Sequence, residues 1–90
     1  MTADVRDTAG TAGDAITKAE ETEPGRISVE TSLVDPRAAD GSAEAKQAIE
    51  ICEAAAGLDG VTYVSVLEKD GTSWVLFGHP SVPTGECAEV

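Results

Sequence analysis

The sequence predicts an α+β fold in which the elements follow the order strand, helix, strand, strand. Residues 26–34 alternate between apolar and polar side chains, and residues 44–56 repeat apolar side chains at helical spacing. Residues 61–78 hold two apolar runs around an Asp-Gly turn and include every aromatic side chain of the protein. We expect a three-stranded sheet in the order 1-3-2, largely antiparallel, with one helix packed on one face.

An acidic N-terminal arm precedes these elements in residues 1–24, and residues 25–90 form a single βαββ domain with a C-terminal tail. The whole chain has 90 residues, which is enough for one domain. Apolar side chains of the arm that recur at helical spacing are Val5, Ala9, Ala12, Ile16 and Ala19. This weak stripe predicts a short helix between residues 12 and 22, and a disordered, solvated arm is the alternative interpretation.

The first predicted strand covers residues 26–34. The side chains that share its buried face are Ile27, Val29, Thr31 and Leu33. Its polar face carries Ser28, Glu30 and Ser32. The apolar and polar side chains thus alternate with a period of two, which predicts a strand with one solvent-exposed face. Asp35 and Pro36 end the strand, because proline cannot continue a hydrogen-bonded ladder.

The predicted helix begins after Ser42, a good N-cap, and has Glu44 in its positively polarised first turn. Its apolar stripe consists of Ala45, Ala48, Ile49, Cys52, Ala55 and Ala56. Glu50 and Glu53 lie on the opposite face, which indicates solvated carboxylates rather than an acid–base pair. Gly57 is expected to end the helix in the left-handed conformation.

The last two strands form a hairpin whose turn contains Asp70 and Gly71. Residues 73–78 are apolar on both faces, which is typical of a strand in the middle of a sheet. This predicts the order 1-3-2. The alternative places the first strand beside residues 61–68, joined by a right-handed parallel crossover. The tail, residues 79–90, is interpreted as an ordered loop.

The chain has two cysteines, Cys52 in the helix and Cys87 near the carboxyl end. Neither belongs to a C-x-x-C pair, which excludes thioredoxin-like and zinc-knuckle motifs. A disulfide between them would attach the tail covalently to the helix and raise the stability of a domain with a small core. Two unrelated thiols are the alternative. A disulfide would place the protein in an oxidising compartment.

The charge is strongly acidic, with 6 basic and 17 acidic residues and a formal net charge of −11. Such a field repels phosphate backbones and anionic lipids, so we expect no nucleic-acid partner and no membrane-surface binding. It favours a basic protein partner, although acidity for solubility alone is the alternative.

The sequence also bears on export. It has no apolar run of the length that a membrane span requires. The first residues, MTADVRDTAG, lack the cationic start and apolar core of a signal peptide. Met1 is compatible with an initiator placed before an already trimmed mature chain.

The single histidine, His79, lacks the companions that catalysis or metal binding requires. We therefore expect no catalytic residue, no metal and no cofactor. Trp74, Tyr63 and His79 are the candidates for an interaction surface, because exposed aromatic side chains often anchor partners. For Trp74 a place in the core is the alternative.

Three segments carry a resemblance: GRISVETSLVDP (residues 25–36), EAKQAIEICEAA (residues 44–55) and VSVLEKDGTSWVLFGHP (residues 64–80). Together they resemble small exported or lipid-anchored domains of high-GC Gram-positive bacteria. In these domains, a cysteine in an Ala-rich helix is accompanied by a second near the carboxyl end. The resemblance covers roughly residues 25–90. It implies an extracytoplasmic location and the disulfide, and it implies nothing catalytic.

The sequence therefore predicts a non-enzymatic exported domain that binds a partner or serves as an accessory module. The first alternative is an acidic cytoplasmic protein, such as an immunity protein or mimic, that occupies a basic partner. A small enzyme centred on Cys87 or His79 is the third hypothesis. A sheet with one thinly covered face also allows a homodimer.

Overall fold

Five strands of the chain form one mixed sheet, with two α-helices and a short 3-10 helix beside it. The computed structural model describes residues 2–34, 43–80, 82 and 85–89. The elements are α1 (Thr2–Ala9), a 3-10 helix (Gly10–Ala15), β1 (Ile16–Glu23), β2 (Arg26–Thr31), α2 (Ala43–Ala56), β3 (Tyr63–Leu67), β4 (Ser73–Phe77) and β5 (Ala88–Glu89). The α+β class is confirmed, whereas the three-stranded sheet with a single helix is wrong.

The strand order is β1-β2-β3-β4-β5, so the predicted order 1-3-2 is also wrong. β2 pairs in parallel with β3, which was the alternative arrangement, and all other neighbours are antiparallel. In this register Ile27 lies beside Val64 and Val29 beside Val66, which joins the apolar sides of both strands. β4 still has a neighbour on each side, but β5 supplies the second one.

β1 lies where the arm was predicted to be helical or disordered. Ile16 and Ala19 are both buried although they are three residues apart. The register between β1 and β2 shifts between Ile16 and Lys18, and such a bulge breaks the period of two. Pro24 and Gly25, with Gly25 at φ +80°, turn the chain directly into β2. The arm is therefore part of the sheet.

Both helices cover the same face of the sheet. α1 packs against α2 and β1, and α2 packs against β3 and β4. The alternating side chains of β2 and β3 that enter the shared core are Ile27, Val29, Val64 and Val66. The intervening side chains of these strands, such as Ser28 and Ser65, are partly exposed on the other face. The helices thus cover one face of the sheet, whereas β4 is buried on both of its faces.

The buried side of α2 is rotated relative to the predicted stripe. Ile51 is 0% exposed, whereas Ile49 is only half-buried. Gly57 follows the helix as predicted, but its φ is not positive, and the left-handed glycine of this loop is Gly60. The predicted strand end at residues 35–36 and the N-cap Ser42 lie outside the described residues.

Replacing Ile51 with alanine tests this rotation. We expect Ile51→Ala to lower the free energy of unfolding by about 2–5 kcal/mol, because it leaves a cavity in the core. Ile49→Ala, the matched control on the same helix, should cost clearly less, since less of its side chain leaves water. Urea unfolding followed by circular dichroism measures both values. Equal losses would contradict the observed facing of α2.

Candidate binding cleft at the disulfide

The cysteine pair lies where α2 meets the tail. Cys52 is 0% exposed within α2, and Cys87 directly precedes β5. Their Sγ atoms are 2.14 Å apart and their Cα atoms are 6.1 Å apart. The structure therefore brings the two predicted partners to disulfide distance. Neither cysteine is free in the structure.

The tail is more than a loop, because it adds a strand to the sheet. β5 pairs with β4 through Val75 with Glu89 and Leu76 with Ala88. The indole Nε1 of Trp74 donates a hydrogen bond to Oε1 of Glu89, with 3.0 Å between the two atoms. A covalent link, a short ladder and one side-chain hydrogen bond thus hold the tail against the domain.

An open cleft of about 570 Å³ lies between the end of α2, the end of β4 and the tail. The described residues that line it are Glu53, Ala56, Gly57, Phe77, Gly85, Glu86 and Cys87. Glu53 and Glu86 are exposed, and Phe77 is half-buried. The cleft therefore combines two carboxylates with an aromatic ring and a helix end.

The charged groups around the cleft are all negative among its described lining residues. The carboxyl end of α2 carries the negative end of the helix dipole, and the last turn of α2 has no basic residue. No lysine or arginine occurs between residues 47 and 68, and none follows Lys69. Glu53 and Glu86 both line the cleft, where carboxylates can form charge-assisted hydrogen bonds with a cation, and Phe77 adds an aromatic ring of the kind that attracts ammonium and guanidinium groups. The arrangement fits a cationic side chain.

The structure separates Trp74 from the other two side chains predicted to form an interaction surface, Tyr63 and His79. Trp74 is 2% exposed and belongs to the core, so it offers no surface. Tyr63 and His79 do come together, with ring centroids 6.3 Å apart. The guanidinium of Arg26 lies over the Tyr63 ring, with its Cζ 4.3 Å from the centroid. The chain's own arginine therefore occupies one face of that ring.

Among residues 2–34, 43–80, 82 and 85–89, no three His, Cys, Asp or Glu side chains are grouped to hold a metal ion. Within the same ranges, none of the helices has the length and apolarity needed to cross a membrane.

The cleft is not evident from the sequence, because the residues that form its walls are far apart along the chain. The helical pattern places Glu53 on a solvated face, and Glu86 lies in the predicted C-terminal loop. Phe77 belongs to the predicted strand over residues 73–78. The signal that could have found the cleft is the long stretch without any lysine or arginine around Cys52.

Comparisons of this chain with protein-family models, with curated proteins and with solved structures return no match. The resemblance to exported bacterial domains therefore stays a prediction.

Proposed function

We propose that this chain is a non-enzymatic interaction domain that binds a basic protein, with a lysine or arginine side chain of the partner entering the cleft. The observation that carries the proposal is the cleft itself. Glu53 and Glu86 line it, the negative end of α2 borders it, and no basic residue is among its described lining residues. The net charge of −11 adds a long-range attraction that speeds the encounter with a basic partner.

The proposed location is an oxidising compartment outside the cytoplasm. The disulfide distance between Cys52 and Cys87 supports it, because such bonds persist where thiols are not kept reduced. A cytoplasmic acidic protein, such as an immunity protein or a mimic, is the second candidate, and the net charge of −11 favours it. Alkylation of the protein as isolated, read by intact mass, separates the two. Blocked cysteines support export, and two labelled thiols support the cytoplasmic candidate.

Binding is tested with a short fluorescent peptide of alternating lysine and glycine. We expect the double variant Glu53→Gln/Glu86→Gln to bind it about tenfold more weakly, because each lost carboxylate removes a charge-assisted contact. Fluorescence anisotropy at two salt concentrations measures the change. Binding by the unsubstituted protein should weaken as salt rises, since salt screens exposed charges.

The matched control is Asp14→Asn/Glu30→Gln. Both side chains are exposed, neither lines the cleft, and the change in net charge is the same. This control should shift the affinity only slightly. Equal weakening by the two double variants would mean that the peptide responds to the overall charge, and the cleft would then not be the binding site.

A further inference from the structure

We infer that the Cys52–Cys87 disulfide is a redox latch on the cleft. In this inference a dithiol reductant opens the bond, residues 85–89 leave β4, and one wall of the cleft is lost. We call residues 85–89 the strap. The effect on binding rests on the proposed function above, whereas release of the strap is a property of the fold alone.

The non-covalent contacts of the strap are few. β5 has two residues, which is the shortest ladder in the described sheet. Gly85 and Glu86 are exposed, and residues 87–89 are only half-buried. Segments with little buried apolar area and exposed backbone open at low free energy while the core stays folded. Without the covalent link, the strap is the part of the sheet that opens first.

The two sulfur atoms differ in access. Cys52 is 0% exposed inside α2, whereas Cys87 is half-buried and lines the cleft. A thiolate of the dithiol therefore attacks Sγ of Cys87 through the cleft, and Sγ of Cys52 leaves as a thiolate and takes up a proton. The second thiol of the reductant then attacks its own sulfur in the mixed disulfide. This step releases Cys87, which is protonated in turn. The dithiol loses two electrons and two protons and becomes a disulfide.

The charge of the cleft selects among reductants. Glu53 and Glu86 lie on the approach to Cys87, so an anionic thiol is repelled and a cationic thiol is attracted. Opening the latch also changes β4. Its Trp74, Val75 and Leu76 are buried, and departure of β5 leaves their strand with an unpaired edge. The latch thus couples the thiol chemistry at the cleft to the sheet.

Hydrogen exchange measured by mass spectrometry tests the release of the strap. It compares the oxidised protein, the protein reduced with dithiothreitol, and the variant Cys52→Ala/Cys87→Ala. We expect residues 73–77 and 85–89 to lose protection in the last two samples. Residues 26–31 and 63–67 of β2 and β3 should keep theirs. Unchanged protection of the strap would overturn the inference, and so would equal loss of protection along the whole chain.

The basic lysine–glycine peptide provides the second readout. Reduction should weaken its binding, because Glu86 leaves the cleft while Glu53 stays on α2. If the strap opens but the oxidised protein never binds the peptide, the proposed function fails and the latch stands. If the oxidised protein binds the peptide and reduction changes neither binding nor exchange, the latch fails and the proposed function stands.

The charge selection has its own test. Intact mass follows formation of the first mixed disulfide with cysteamine, which is cationic, and with mercaptoacetate, which is anionic. Each rate is divided by the rate of the same thiol with a small uncharged disulfide. We expect a preference for cysteamine that shrinks in Glu53→Gln/Glu86→Gln and at high salt. Equal normalised rates in the unsubstituted protein would show that attack does not pass through the acidic cleft.

Discussion

Replacing Cys52 and Cys87 together with alanine lowers the free energy of unfolding by about 3–4 kcal/mol. The Cys52–Cys87 bond joins residues separated by 35 positions. Without it the unfolded chain has more conformational entropy, which for a loop of this length corresponds to that free energy. In a domain of this size the melting temperature should fall by about 10–30 °C. Differential scanning calorimetry measures the fall.

The unsubstituted protein in the presence of a reductant is the control for this variant. It should reproduce most of the fall, because reduction removes the same link without removing side chains. If the reduced protein and the variant both melt at the temperature of the oxidised protein, the two cysteines are not bonded in solution. That result would also remove the main support for an extracytoplasmic location.

We expect replacing Gly78 with alanine to cost about 2–5 kcal/mol of unfolding free energy, because it combines left-handed backbone strain with a forced shift of packed backbone. Gly78 follows β4 and has φ +80°, a conformation that residues with a side chain rarely adopt. A Cβ at this position would lie 2.1 Å from the carbonyl oxygen of Thr62, just before β3. Because that neighbour is backbone, β3 and β4 would have to separate.

Gly71→Ala is the matched control for this substitution. Gly71 has φ +89° in the hairpin turn, but a Cβ there meets nothing within 4 Å. Its substitution therefore carries the conformational cost alone, about 1–2 kcal/mol. Chemical unfolding of both variants gives the difference. If Gly78→Ala costs no more than Gly71→Ala, the close approach of Gly78 to Thr62 is not a feature of the folded protein.

The parts of the fold that the sequence predicted are those with an unbroken period. β2 and β3 alternate without interruption, the turn at Asp70 and Gly71 has a distinctive composition, and α2 is long and Ala-rich. In each of these the local pattern and the packing agree. The α+β class followed from these elements.

The edge strands could not be predicted because their signals are local exceptions. In β1 a bulge brings Ile16 and Ala19 to the same side at a spacing of three, which imitates a helix. In β5 two residues are too few to show any period, and the strand is held beside β4 by the Cys52–Cys87 link. The order of the sheet depends on these two strands, and the order 1-3-2 predicted without them is therefore wrong.

The candidate cleft was harder still to predict, because it is assembled from Glu53, Phe77 and Glu86 in three different elements. Sequence patterns describe faces of single elements and do not say which ends meet. The cysteine pair was the one long-range constraint available, and it did place the tail beside α2. The absence of lysine and arginine on both sides of Cys52 could have indicated that the surface near the pair is acidic.

The order in which the chain folds follows from the pairing of β2 with β3, which is the only parallel pairing among the described strands. β1 with β2 and β3 with β4 are hairpins between neighbouring segments, and such local contacts form within microseconds. The pairing of Ile27 with Val64 instead closes a long crossover that contains α2, at a higher cost in chain entropy. We therefore expect the two hairpins to form early. The pairing of β2 with β3, with α2 packed on the sheet, should then limit the rate of folding. Substitutions at Val29 or Val66 would then slow folding, whereas changes in β5 would mainly speed unfolding.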